Sequence, residues 1–289
     1  MDLDFTSVSN SVMASFAILF FGIVDRSIGR TGSSIRRRIV RPLQRQGDVD
    51  LFFHSWQLEE IDETVSSEGF SSRSRTFSSA FPCAQGIFES QHDFDRDMDW
   101  NPYYRNSSMW PDARPEERRF QLLRNHRRAI ESLARCHQFY LEHRERSHDF
   151  LVIARPDVLY RTTLRLTAHI ETDELLVPDF HHWGGVNDRF AVGPPDAITA
   201  YCNRRAFVDE HVASNQHEKS EQLLAAFLRE KQLKTRSLPL FFQRIRSDGS
   251  LVPQDLTSLG KRFRQAQSCL QRVKTKCQSF HESCHSKQE

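Results

Sequence analysis

Ser15-Phe16-Ala17-Ile18-Leu19-Phe20-Phe21-Gly22-Ile23-Val24 is a continuous apolar run that stops at Asp25-Arg26. A run of this length without polar alternation predicts a strand buried on both faces, as in a parallel sheet. A Gly-containing loop follows over residues 27–32. Ser33 or Ser34 is placed to cap a helix through Ile35, Ile39, Val40 and Leu43, whose spacings of three and four give one apolar face. Pro42 predicts a kink or early end in that helix, and Gly47 closes it. Val49-Asp50-Leu51-Phe52-Phe53-His54-Ser55-Trp56 then reads as a second strand. Strand, loop, helix and strand in that order make a βαβ unit with a right-handed crossover.

Outward from this unit the pattern continues. Phe150–Ala154 is a third short buried strand, cut off by Arg155-Pro156-Asp157, and residues 175–177, 190–192 and 238–244 read as further strands. Helical spacing runs over 116–146, 196–213 and 220–231. Residues 57–115 differ, with a Ser/Arg-rich stretch at 66–79 and breaks at Pro102, Pro111 and Pro115, and read as a surface insertion. Alternating strands and helices predict an α/β fold with a mostly parallel central sheet and helices on both faces. The expected organisation is one domain over 12–250 and a polar, partly helical tail over 251–289.

Composition narrows the function classes. The 289 residues include 38% hydrophobic and 27% charged side chains, enough to bury a core. Forty Lys and Arg against 38 Asp and Glu leave a net charge of +2, which argues against a nucleic-acid partner. Six cysteines without framework spacing read as reduced thiols in a reducing compartment. The longest apolar stretch, residues 12–24, is short of the roughly 20 residues of a transmembrane helix. Asp2 and Asp4 precede it, a poor match to a signal peptide. The expectation is a cytoplasmic protein without a transmembrane segment.

The chemistry-bearing candidates cluster after buried strands. Arg26, Arg30, Thr31 and Ser33 follow the first, where ligands of open parallel sheets collect and a helix N-terminus offers N–H groups to phosphate; a plain solvent loop is the competing reading. No G-x-G-x-x-G or Walker sequence is present. Pro156 forces the chain out of the sheet, and Asp157 stands where a carboxylate could meet a divalent cation on a diphosphate or cap a turn. His181-His182-Trp183-Gly184-Gly185-Val186-Asn187-Asp188-Arg189 concentrates polar groups before a buried strand, as an active-site rim does; the two histidines read as surface residues. The Asp93, Asp95, Asp97, Asp99 alternation fails as a calcium loop because Met98 and Tyr104 occupy the Gly and Glu positions. Cys277, His281, Cys284 and His285 match no standard zinc spacing.

Taken in series, residues 16–26, Ser34-Ile35, Pro42-Leu43, 49–56, 151–157, Asn187-Asp-Arg-Phe-Ala-Val-Gly193, Ser220-Glu-Gln-Leu-Leu224 and Arg244 resemble a nucleotide-sugar-dependent glycosyltransferase of GT-A type. The likeness is to the group found among capsule, surface-polysaccharide and viral sugar transferases. It covers most of residues 15–247 outside the 57–115 segment. The resemblance implies a Rossmann-like domain, a nucleotide-sugar donor and a glycan or other hydroxyl acceptor. It places the donor at Gly22, Asp25, Arg26, Arg155 and Asn187, a Mn²⁺ or Mg²⁺ ion at Asp157, and catalysis at Asp188 with Glu221 as second candidate. One departure stands out. The family metal motif is Asp-x-Asp, and Arg155 occupies its first acidic position, so the diphosphate charge could fall to an arginine fork. A sulfotransferase is the rival enzyme, because Arg30-Thr-Gly-Ser-Ser-Ile35 is similar to the phosphosulfate loop of that family. A non-catalytic sugar-binding relative is the third reading.

Overall fold

A computed structural model describes residues 13–58, 76–109, 114–166, 169–214, 219–246, 249–252 and 255. The expected tail beyond Asp255 and the cysteines and histidines within it lie outside the described residues. The opening apolar run forms β1 (Ala14–Gly22), and its side chains divide between two cores. Phe16, Ile18 and Phe20 enter one, while Ala17, Leu19 and Phe21 enter the other. A strand lined by core on both sides must be central, which explains its lack of polar alternation. Phe20 alone packs against Phe77 and Phe81, at ring-centroid distances of 5.4 and 5.6 Å. Burying such a side chain contributes about 1.5–3 kcal/mol.

β1 pairs in parallel with β2 (Gly47–Gln57) and β4 (Phe150–Ala154). On the far side of β2 lies β3 (Gln85–Ser90), also parallel. Beyond β4 come β7 (Phe190–Gly193), β6 (Glu174–Pro178) and β8 (Lys234–Leu238). The central sheet therefore has the order β3-β2-β1-β4-β7-β6-β8, in which β7 alone runs antiparallel. A small second sheet pairs β5 (Val158–Tyr160) with β9 (Phe242–Arg244). The α/β class with a mostly parallel sheet and helices on both faces is as the sequence predicted, and the layout is compatible with a Rossmann-like fold.

The first helix differs from its sequence reading. α1 (Ile28–Ile35) starts directly after Ser27, so Ser33 and Ser34 are helix residues and not caps. It continues through a π-helical turn at Arg36–Val40 into α2 (Arg41–Gln44). Pro42 has no N–H to give the carbonyl of Arg38, and that oxygen instead accepts from Leu164 N at 2.8 Å. The π turn directly precedes the segment that carries Pro42, and the helix ends two residues beyond the proline, at Gln44.

Residues 57–115 are also more than a surface insertion. They supply β3 to the sheet edge, with α3 (Thr76–Ala80), α4 (Gln91–Asp97) and α5 (Asn101–Met109). Gly86 permits the close approach of β3, since a Cβ there would lie 2.1 Å from Phe53 O. Asn106, in the sequon Asn106-Ser107-Ser108, is buried on α5 and donates to Val212 O.

The second face carries the long α6 (Glu116–His143), α7 (Pro195–Cys202) and α9 (Ser220–Glu230). A single helix was expected over 196–213. A break at residues 203–204 instead separates α7 from α8 (Arg205–Ala213). Among the described residues no helix is long and apolar enough to cross a membrane.

Candidate functional site

The parallel strands β1, β2 and β4 all end at one sheet edge, and the reversed β7 starts there. Ala154 pairs with Phe190, and Arg155 N donates to Arg189 O at 3.1 Å. That edge opens into a cleft of about 820 Å³. Its walls include Gly22 and Arg26 after β1, Trp56 at the end of β2, Arg155 and Asp157 after β4, and Asp188 before β7. The strand-end site expected for an open α/β sheet is thus physically present.

Gly22 is shaped for this position. Its φ of +102° is a conformation L side chains rarely adopt, although a Cβ there would meet no atom within 4 Å. Glycine is needed for the backbone turn and not for space. Gly22 N donates to Ser132 Oγ on α6 at 2.7 Å, and the same hydroxyl lies 2.7 Å from His54 Nδ1. β1, β2 and α6 are therefore tied together at the cleft edge.

Asp157 is held by two arginines. Arg155 Nε donates to its Oδ1 at 2.9 Å and Arg155 Nη2 to its Oδ2, while Arg26 Nη2 reaches Oδ2 at 3.1 Å. Burial alone would raise the pKa of this carboxyl, but the charges of Arg155 and Arg26 win and hold it well below the usual carboxylate range. It is ionised at neutral pH. This donor set does not suit a Mn²⁺ or Mg²⁺ ion as it stands, because both oxygens already accept from guanidinium groups. Hard cations need several free oxygen ligands. Among the described residues no three His, Cys, Asp or Glu side chains converge as a metal site.

Asp188 faces the cleft from the Gly-Gly loop. Its Oδ1 lies 3.1 Å from Arg189 Nη1 without hydrogen-bond geometry, and among the described residues no donor reaches this buried atom. Burial pushes its pKa up, but Arg189 and Arg155 together pull it below the ordinary value. Glu221, the second catalytic candidate, stands behind this wall. It accepts from Arg189 Nη1 at 3.1 Å and from Ser220 Oγ at 3.0 Å. Burial, and then the charge of Asp188, raises its pKa. Gly185 brings the two acids close: a Cβ there would lie 1.8 Å from Glu221 O, and Val186 N donates to that same oxygen.

Three expected roles change. Asp25 is not among the cleft-lining residues. Its carboxylate accepts from Phe77 N at 2.6 Å and Thr76 Oγ1 at 3.1 Å, capping α3 from a distant part of the chain. Asp25→Ala should therefore cost about 1 kcal/mol of stability in urea melts and leave ligand affinity unchanged; a large affinity loss at unchanged stability would return Asp25 to the site. Asn187 is also structural. Its side chain donates to Phe180 O at 2.8 Å and accepts from Arg189 N at 3.0 Å, latching the loop that presents Asp188. His181 is buried at a φ of 57°, its ring between those of Phe180 and Trp183, and is no surface histidine.

The stretch Arg30-Thr-Gly-Ser-Ser-Ile35 is helix and not a phosphate loop. Thr31 Oγ1 donates to Pro156 O at 2.7 Å, and Ser34 Oγ donates to Thr31 O while accepting from Tyr160 N. Both hydroxyls are spent on packing α1 against residues 156–160.

Sequence reading missed the α6 wall. Asn125, His126 and Ala129 line the cleft from one helical face, at spacings of three and four. Burial lowers the His126 pKa to about 4, so its ring is neutral at pH 7. Nothing local marks it, since a histidine within an amphipathic helix reads as an ordinary surface or core residue. Arg244, the last residue of β9, and Arg246 just beyond it complete the wall. No protein-family model and no curated protein matches the chain.

Proposed function

We propose that the protein is a glycosyltransferase that moves a sugar from a nucleotide-diphosphate donor to a hydroxyl of a glycan or similar acceptor. The observation that carries this reading is the convergence at one sheet edge of Gly22, Arg26, Arg155, Asp157 and Asp188. These are residues from three separate segments of the series that resembles GT-A transferases. The mostly parallel sheet is compatible with the Rossmann-like domain that the resemblance implies.

The chemistry follows from the side chains. Arg26 and Arg155 stand where a diphosphate beyond the β1 and β4 ends would need its charge neutralised. Asp188 takes the proton of the acceptor hydroxyl. The acceptor oxygen bonds to the anomeric carbon as the bond from that carbon to the phosphate oxygen breaks. The electron pair of that bond leaves on the nucleoside diphosphate. Trp56 and the α6 face offer apolar and amide surface for the rest of the donor.

A thermal-shift panel of nucleotide sugars and adenosine phosphosulfate, with and without Mn²⁺, tests the reading. A ligand at 100 times its dissociation constant stabilises the folded form by about 2.7 kcal/mol. A shift with a nucleotide sugar and none with adenosine phosphosulfate is expected; the reverse would assign the cleft to sulfuryl transfer.

A further inference from the structure

We infer that this cleft takes its donor's diphosphate through clamped arginines and without a divalent cation, the acidic residues around it serving to hold guanidinium groups and not to ligate metal. The inference rests on the nucleotide-sugar reading above and concerns how that donor is held.

The same arrangement recurs around the cleft, where Asp95 also accepts from Arg128 Nε at 2.9 Å and from Arg124 Nη2 at 3.2 Å. Asp157 fixes Arg155 with a two-point contact and shares Arg26. Glu221 fixes Arg189 at 3.1 Å. Asp255, fully buried, fixes Arg244 through Nη2 at 2.8 Å and Nε at 3.2 Å, and also accepts from Arg244 N. A guanidinium whose torsions are set by a carboxylate behind it loses little freedom on binding, and its remaining N–H groups match the oxygens of a phosphate.

Charge supports the same conclusion. Among the described residues, seven arginines line the cleft against three aspartates. Counting Glu221 and Asp255 behind the wall as ionised still leaves an excess of two positive charges. The diphosphate of a nucleotide sugar carries one ionised oxygen on each phosphate, so the arginines suffice. The excess is also local, since two guanidinium groups share the single carboxylate of Asp157. A dication at Asp157 would have to displace both arginines and then stand beside them, like charges in a part-buried site. The Arg155 departure from Asp-x-Asp thus acquires a physical role.

Calorimetric titration of the full chain with UDP, GDP, CDP and ADP, in EDTA and in excess Mn²⁺, tests the inference. At least one nucleotide should bind in EDTA, with an affinity changed less than about threefold by Mn²⁺ and falling as salt rises. Arg26→Gln, which leaves the Arg155–Asp157 pair intact, should weaken that binding about tenfold or more while the variant still melts cooperatively without ligand. Binding that appears only with Mn²⁺, or tightens tenfold with it, overturns the cation-free cradle and leaves the transferase reading standing. Equal affinity in Arg26→Gln overturns it too. If no nucleotide binds in either condition, the nucleotide-sugar reading itself fails and takes this inference with it.

Discussion

Asp188→Asn is expected to lower turnover of sugar transfer by about two to four orders of magnitude while leaving the dissociation constant of the donor nearly unchanged. Asn keeps the size of the side chain but cannot accept the acceptor's proton. The position favours this role over Glu221: Asp188 lines the cleft, and among the described residues no donor reaches its buried Oδ1. Glu221 is already committed to Arg189 and Ser220. Glu221→Gln should therefore act through the placement of Arg189 and reduce turnover less. The pH dependence follows from the direction of the Asp188 shift. Its carboxyl lies below the ordinary value, held there by Arg189 and Arg155 against the effect of burial. It is ionised, and able to accept a proton, at every pH above the usual Asp value of about 3.9. No acid limb from this group should appear in kcat between pH 5 and 8. Measuring kcat, donor affinity and the pH profile of wild type and variant checks all three statements, and full activity in Asp188→Asn would remove it from the mechanism.

Glu131→Gln should give a large stability loss outside the apolar core. Glu131 lies on α6, with a side chain 7% exposed, among three arginines. Its Oε2 accepts from Arg127 Nη1 at 2.9 Å, and its Oε1 from Arg135 Nε at 2.9 Å and Arg205 Nη1 at 3.1 Å. Burial acts to raise its pKa, but the arginines overcome this and bring it from 4.5 to about 2. A displacement of that size corresponds to about 3 kcal/mol at neutral pH. For a protein of this length it should lower Tm by roughly 5–10 °C. Because the folded-state value is depressed, the unfolded chain takes up the proton first as pH falls. The contribution is fully present above pH 4.5 and is lost as pH drops toward about 2. The gap in urea midpoint between wild type and Glu131→Gln should therefore be wide at pH 7 and nearly closed at pH 2.5. An equal gap at both values would mean that shape, and not charge, is what Glu131 contributes.

This cluster also bears on the cleft. Arg135 joins Glu131 to Glu89, and Glu89 lies 2.8 Å from His54 Nε2. His54 Nδ1 in turn meets Ser132 Oγ, which accepts from Gly22 N. The same helix that bears Asn125, His126 and Ala129 in the cleft wall is thereby anchored to the strand end that carries the glycine turn. In a partly destabilised variant, donor affinity should fall together with stability, which separates this effect from the kcat-only signature expected of Asp188→Asn.

Local pattern was enough for the central strands. The run from Ser15 to Val24 predicted a strand with core on both sides, and the division of Phe16, Ile18 and Phe20 from Ala17, Leu19 and Phe21 gives the physical meaning of that pattern. Pro156 likewise announced a chain leaving the sheet, and the chain does leave there, into the cleft. Where several tertiary terms compete, the sequence was less legible. Pro42 gave no hint that Leu164 would take up the carbonyl it leaves unbonded. Nor does β3 advertise itself, because an edge strand with partly exposed faces lacks the continuous apolar run that marks β1. Asp25 and Asn187 read as site residues because acids and amides beside glycines suggest ligands; only their partners reveal a helix cap and a loop latch.

By itself, then, the order of apolar runs and breakers determined an α/β chain with its polar residues gathered just after buried strands. Hydrophobic periodicity is a short-range property, and burial acts on each segment wherever it lies. Which strand ends share an edge is a long-range matter. The antiparallel entry of β7 beside β4 decides it here, by bringing Arg189 against Arg155 and Asp188 into the same cleft as Asp157. Tertiary structure alone also decided that two guanidinium groups would share one carboxylate, since charge pairing depends on distances between side chains that lie 131 residues apart in the sequence, as Arg26 and Asp157 do.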